Sequence, residues 1–225
     1  LVFTGITVHA QKVKISLNSD GNLTIWKVKA QAEIEHPSDM MTTRYDTRDW
    51  VKATVPGTVF GSYVLEGLEP DPNFADNAYK VDKAKYDRNF WYRTEFNSPE
   101  VENGTRLGLL DGFMHRGNFD ITDLLSKDGK NVLAVLVHWV GTPVPNYASP
   151  TYMSCAGWDW MPYVPGLLTG ITDDVYLTKT GEVSIVDPWI RSKVPSKNKA
   201  VLSLQLELRN HTDIEQKGVL KGIIQ

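Results

Sequence analysis

The chain has 225 residues, enough for one large domain or two modest ones with a sizeable core. Hydrophobic residues make up 41% and charged residues 23%, ordinary proportions for a globular protein, and the formal net charge is −3. That balance, with no basic block, argues against a nucleic-acid partner, and the lack of any apolar run of ~18 residues argues against a helical membrane span.

Cys155 is the single cysteine, so no disulfide can form within the chain and no zinc site can rest on thiolates. It reads as a small buried hydrophobe. His9, His36, His115, His138 and His211 are scattered without metal-ligand spacing, and no cofactor or metal is expected. Seven Trp and nine Tyr are more informative. Each ring can be a sandwich-core residue or a face on which a sugar stacks.

In chain order, residues 1–10 (LVFTGITVHA) read as the end of a signal peptide, an apolar run closing on the small-residue site Val8-His9-Ala10. The alternative is an ordinary first strand. The signal-peptide reading implies a mature start near Gln11 and a secreted or periplasmic protein. Val13, Ile15 and Leu17 then alternate with Lys12, Lys14 and Ser16, the period of a strand. Turn signals follow at Asp20-Gly21, Pro56-Gly57, Asn103-Gly104, Asp128-Gly129 and Pro165-Gly166.

Helical periodicity is almost absent, and residues 59–68 predict one or two helical turns at most. Asp71-Pro72-Asn73 and Asp76-Asn77 form a polar loop whose plain reading is turn chemistry. Trp91, Arg93 and Glu95 alternate within a strand and read as structural. Residues 131–140 are nearly continuously apolar, as in a strand buried on both faces.

A boundary falls near Thr180-Gly181. Beyond it, residues 183–194 and 200–209 predict strands, the second with Leu202, Leu204, Leu206 and Leu208 alternating against polar residues. Residues 210–218 are turn-like, and 219–224 predict the start of another strand. About three strands are thus present where an immunoglobulin-like sandwich has about seven. Many short strands with frequent Gly and Pro turns indicate a sandwich or barrel.

Three segments stand out. The first is W-V-K-A-T-V-P-G-T-V from Trp50, followed by L-E-P-D-P-N-F-A-D-N ending at Asn77. The second is F-W-Y-R-T-E-F from Phe90, with F-D-I-T-D-L-L from Phe119 and N-V-L-A-V from Asn131. The third is G-W-D-W-M-P from Gly157, continuing to G-I-T-D-D-V-Y-L from Gly170.

In this order they resemble the N-terminal half of glycoside hydrolase family 2, nearest its β-mannosidase and exo-β-glucosaminidase branch, over about residues 23–225. The resemblance implies an all-β architecture: a jelly-roll, galactose-binding-like sugar-binding β-sandwich followed by an incomplete immunoglobulin-like β-sandwich. With the leader reading, it divides the chain into residues 1–10, 11–180 and 181–225. It also implies a C-terminal (β/α)8 barrel carrying two catalytic glutamates, which this chain lacks, so the fragment alone is expected to be inactive. Departures exist. Tyr163 follows G-W-D-W-M-P where Arg is frequent in the family, Gly170-Ile171-Thr172 replaces Gly-Ile-Trp, and the stretch between Phe96 and Gly112 is too short for two strands the family places there.

Asp159 lies between Trp158 and Trp160. An ionised carboxylate there cannot be buried without partners. Facing solvent, it offers a charged acceptor for sugar hydroxyls beside an aromatic wall; facing inward, the indoles belong to the core and Asp159 caps a turn. The resemblance favours the first arrangement and adds the loop of Asp76 and Asn77, so Asp159, Trp158, Asn77 and Asp76 are the expected substrate-binding residues. A retaining glycosidase needs two carboxyls about 5 Å apart. Nothing fixes any pair among Asp71, Asp76, Asp159, Asp173 and Asp174 in that geometry, so no catalytic residue is assigned.

The expected partners are a terminal β-linked sugar and the missing catalytic barrel of the same polypeptide. Three functions remain open: an accessory domain completing the pocket of an exo-acting β-mannosidase or β-glucosaminidase, a stand-alone carbohydrate-binding module, and a structural sandwich that docks a barrel.

Overall fold

A computed structural model describes residues 13–20, 24–97, 105–111, 115–126, 130–139 and 169–220. In chain order the elements are β1 (Val13–Ser16), β2 (Trp26–Ala30), β3 (Val51–Ala53), β4 (Gly57–Thr58), α1 (Val59–Leu65), α2 (Asn77–Lys80), β5 (Phe90–Asn97), β6 (Lys130–Val137), β7 (Gly170–Ile171), β8 (Tyr176–Lys179), β9 (Val183–Ser196) and β10 (Lys199–Asn210). The architecture is all-β, as the sequence predicts, with two short helices, of which only α1 was expected. It divides into two compact units, Ser16–Val175 and a second made of Leu1–Ile15 with Tyr176–Gln225.

The first unit is built on an antiparallel sheet of order β3-β2-β5-β6. Period-two alternation puts Trp26, Val28 and Ala30 on one face, where they oppose Thr94, Tyr92 and Phe90 of β5. All six are buried. The Trp26 and Tyr92 rings meet edge to face at 6.5 Å, and the Trp26 indole donates to the Leu17 carbonyl at 2.6 Å. A large apolar ring is thus removed from water while its single donor stays satisfied.

Lys27, Lys29, Trp91 and Arg93 share the opposite face. Residues 31–50 cover it: Ile34, Met40 and Trp50 form a cluster against which Trp91, Ala134, Met41 and Tyr45 pack. Lys29 pairs with Asp49 at 2.5 Å. The hydrogen bond between them raises the Lys29 pKa and lowers that of Asp49. Trp91, Arg93 and Glu95 are structural strand residues, as expected. β6 is half-buried rather than buried on both faces, and among the described residues it is the last strand of this sheet.

Pro56-Gly57 is not the turn the sequence suggests. The Val55–Pro56 peptide is cis, and Gly57 enters β4 and pairs with Ile171 of β7, while Thr58 pairs with Gly170. A Cβ on Gly170 would lie 2.2 Å from the Gly57 carbonyl oxygen, so this crossing requires glycine. Thr58 then caps α1, its Oγ1 accepting from the Gly61 amide at 2.9 Å. The helix is short, as its weak periodicity predicts. Residues 105–111 form no strand.

In the second unit β1 pairs with β8, and β9 with β10 in a long antiparallel hairpin. The register brings Leu202, Leu204 and Leu208 onto one face with Ile190 and Ile185, and Arg191, Trp189 and Arg209 onto the other. The pairing shifts between Gln205 and Glu207, beside Asp187 at φ 46°. Both strands match the sequence expectation. Val219 and Leu220, expected to open another strand, belong to no strand, and 221–225 lie outside the described residues.

Candidate functional site

The polar loop joins α1 to α2. α1 ends at a glycine: Gly67 has φ 71°, and the Leu68 amide reaches back to the Tyr63 carbonyl at 2.9 Å. Glu69 follows and anchors the loop's base. Its Oε1 accepts from Lys85 Nζ at 2.5 Å and from the Tyr86 hydroxyl at 2.8 Å. Tyr86 is fully buried, edge to face with Phe60 at 5.2 Å and Tyr63 at 5.5 Å. Burial first, and the Glu69 carboxylate second, push its phenol pKa well above the ordinary value.

Above this anchor the loop bonds to itself. Asp71 Oδ1 accepts from the Asn73 amide at 2.9 Å and from Asn73 Nδ2 at 3.1 Å. Asn77 Nδ2 donates to the Asp71 carbonyl at 3.0 Å. Asp76 pairs with Lys80 at 2.5 Å. Ala75 sits at φ 51°, in the left-handed region. Asn77 and Asp76 therefore share one hydrogen-bonded turn.

Asp159 and Trp158 lie outside the described residues. Two of the predicted site residues are thus brought together, and the placement of the other two is not described. Phe74 and Tyr79, which the sequence reading passed over, stand out instead. They are 71% and 83% exposed, on either side of Asp76 and Asn77. The signal lay in the F of D-P-N-F-A-D-N, read only for its polar residues. Arg116 pairs with Asp173 at 3.0 Å, and Asn18 Nδ2 donates to Asp174 at 2.8 Å, so both carboxylates have partners.

A depression of about 430 Å³ lies beside the end of α1, lined by Ser19, Asp20, Lys52, Val55, Pro56 and Glu66 among others. The Ser19 hydroxyl there is spent on the Val55 backbone. Among the described residues no group of His, Cys, Asp or Glu could hold a metal ion, and no helix is long and apolar enough to cross a membrane.

Residues 26–114 match the family described as Glycosyl hydrolase 2 galactose-binding domain-like. The chain carries a glycosyl hydrolase family 2 galactose-binding-like domain. Its relatives include the mannosylglycoprotein endo-β-mannosidase of Lilium longiflorum, 30% identical over 82% of this chain and 24% of that protein. The exo-β-D-glucosaminidase of Streptomyces avermitilis is 24% identical over 94% of this chain and 25% of that protein. The fold is also that of the exo-chitosanase of Amycolatopsis orientalis, with a TM-score of 0.69 at 21% identity over 89% of this chain and 24% of that one. A β-D-mannosidase from Dictyoglomus thermophilum gives 0.60 at 22% identity, over 88% and 26%. The family-2 likeness is therefore borne out, and the chain spans about a quarter of the length of the curated relatives it matches.

Proposed function

We propose that this chain is a non-catalytic part of a secreted, exo-acting glycoside hydrolase of the β-mannosidase or β-glucosaminidase type, and that it supplies loops to the terminal-sugar pocket. The observation that supports this reading is the likeness, over 82% and 94% of the chain, to two proteins named as glycosidases. In the parent enzyme Asp159 and Asn77 accept or share hydrogen bonds with hydroxyls of the terminal sugar, Asp76 lies beside them, and Trp158 walls the pocket. A −1 subsite must separate sugars that differ in one hydroxyl's orientation. A charged acceptor does so because a mismatched sugar leaves it unpaired.

The test is kinetic. The parent polypeptide hydrolyses nitrophenyl β-mannoside or β-glucosaminide, and this chain alone hydrolyses neither. Asp159→Ala in the parent lowers kcat/KM by roughly 30- to 1000-fold without unfolding the sandwich. A variant with near-wild-type kcat/KM removes the role.

Residues 181–225 are assigned to the opening of an immunoglobulin-like sandwich completed elsewhere in the parent. The leucine-rich face of β9–β10 supports this, since such a face is stable only against a second sheet. Export rests on residues 1–10; N-terminal sequencing of protein from its native source is expected to find Gln11 or a close neighbour.

A further inference from the structure

Asn210-His211-Thr212 has the Asn-X-Thr spacing of an N-glycosylation acceptor, with no proline in the middle position. Such a triplet is common by chance, so the folded geometry has to show that a glycan fits. Asn210 is exposed, ends β10, and is followed by bends at residues 212–214. Alternation sets it on the side of Leu208, but as the last residue of its strand it stands at the rim of that face. A glycan at the rim leaves the leucine-rich face free to be covered.

The turn holds the side-chain amide mainly by its oxygen. Asn210 Oδ1 accepts from the Thr212 amide at 2.9 Å and from Thr212 Oγ1 at 2.8 Å. His211 is fixed beside it, its amide donating to the Glu182 carbonyl and its ring bonded to Ser184 Oγ, both at 2.8 Å. Asn210 Nδ2 carries two hydrogens and donates one to the Ile214 carbonyl at 2.7 Å. A sugar on Nδ2 replaces the other. The substituted amide keeps one N–H, so the Ile214 bond and the turn survive. We propose that Asn210 is a glycosylation site, its Nδ2 bonded to the anomeric carbon of an oligosaccharide. The donor class is a polyprenyl-pyrophosphate-linked oligosaccharide. The bond from Nδ2 to the anomeric carbon forms as that carbon's bond to the pyrophosphate oxygen breaks; the amide loses one proton and the polyprenyl pyrophosphate leaves. Transfer meets the chain before it folds, so the folded turn decides only that the product is tolerated at the surface. Asn22-Leu23-Thr24 and Asn103-Gly104-Thr105 share the spacing, but Asn22 and Asn103 lie outside the described residues and carry no part of the proposal.

This inference rests on the export reading, and the test separates the two. Protein purified from its native source is digested, and the peptide spanning residues 210–212 is read by mass spectrometry. A second aliquot is first treated in heavy-oxygen water with an amidase that releases N-linked glycans. The untreated peptide is expected to carry hexosamine and hexose units, and the treated one a heavy-labelled aspartate in place of Asn210. Reading this peptide alone keeps Asn22 and Asn103 out of the result. In a glycosylating host that secretes the full chain, Asn210→Gln and Thr212→Ala each remove the glycan from this peptide, and Thr212→Ser keeps it. A bare Asn210 on a chain that begins near Gln11 overturns the inference and leaves export standing. A bare Asn210 on a chain that retains residues 1–10 overturns both. A glycan kept on Asn210 in Thr212→Ala also overturns it, because attachment then does not follow the triplet.

Discussion

Arg93 donates from Nε to the carbonyl oxygen of Met40 at 2.7 Å, joining β5 to a segment 53 positions earlier. Its Nη2 bonds the Thr42 carbonyl at 2.8 Å and the Glu95 carboxylate at 2.7 Å. One planar fork thus fixes the cover over the second face of the sheet. Without that cover Trp91 and Ala134 would face water, and the four-stranded sheet would be half-exposed.

Arg93 is 3% exposed, so its replacement strands the buried Met40 carbonyl as well as Glu95. Arg93→Met is expected to cost about 3–5 kcal/mol, the range for removing one partner of a buried charged network. Arg93→Lys should recover little, because a single ammonium cannot span three acceptors arranged for a guanidinium. Glu95→Gln should cost only about 1 kcal/mol, since that carboxylate keeps contact with water. Urea unfolding measures all three; an Arg93→Lys variant as stable as wild type contradicts the account.

Glu69 should matter to the loop more than its position at a loop edge suggests. Glu69→Ala leaves the buried Tyr86 hydroxyl without its acceptor, a loss of about 1–3 kcal/mol. Glu69→Gln keeps an acceptor and loses only the ion pair with Lys85, so it should be milder. Limited proteolysis is the sharper readout. The alanine variant is expected to be cut within residues 70–77 faster than wild type, and equal cleavage would argue against an anchoring role.

Much of this was legible in the sequence, and the remainder has identifiable causes. The strands β5 and β10 were legible from their alternation, whereas β2, whose buried face carries Trp26, Val28 and Ala30, went unread. Pro56-Gly57 misled because its dipeptide signals a turn. What decides it is a backbone crossing with Gly170, over a hundred residues away, and nothing local encodes that partner. Asp76 and Asn77 were singled out by the family resemblance alone, and their contacts to Lys80 and Asp71 depend on the folded turn. Phe74 and Tyr79 were missed because an aromatic residue in a β-protein is first read as core.

Alkaline pH should unfold the first unit. Burial raises the phenol pKa values of Tyr63, Tyr86 and Tyr92 from the ordinary 10.0. Below pH about 10 these tyrosines are neutral in both states and the slope is zero. Above it the unfolded chain loses protons that the native state keeps, so stability falls as pH rises toward the folded-state values. Tyrosinate absorbance is expected to rise together with the loss of near-ultraviolet dichroism. Smooth ionisation of these phenols near pH 10 with the fold intact would disprove it.

The hairpin of β9 and β10 should drive self-association of the isolated chain. Its apolar face carries Leu202, Leu204 and Leu208 with Ile185 and Ile190, and these are 42–63% exposed. A fully buried Leu or Ile contributes about 1.5–3 kcal/mol, so a face of this size left wet forfeits several such contributions. A two-stranded ribbon is at best marginal by itself, and its free edges accept further strands. Two outcomes relieve this: the face meets a second copy, or the ribbon frays. Sedimentation across a concentration series is expected to show association that Leu204→Lys with Leu208→Lys abolishes. Gln205→Lys, on the opposite face, should leave it unchanged. In the monomeric double variant, amides of residues 202–208 should exchange rapidly, because no second sheet holds the ribbon. A monomeric wild-type chain with strongly protected amides there would show that the hairpin is stable uncovered, and would remove the case for a sandwich completed elsewhere.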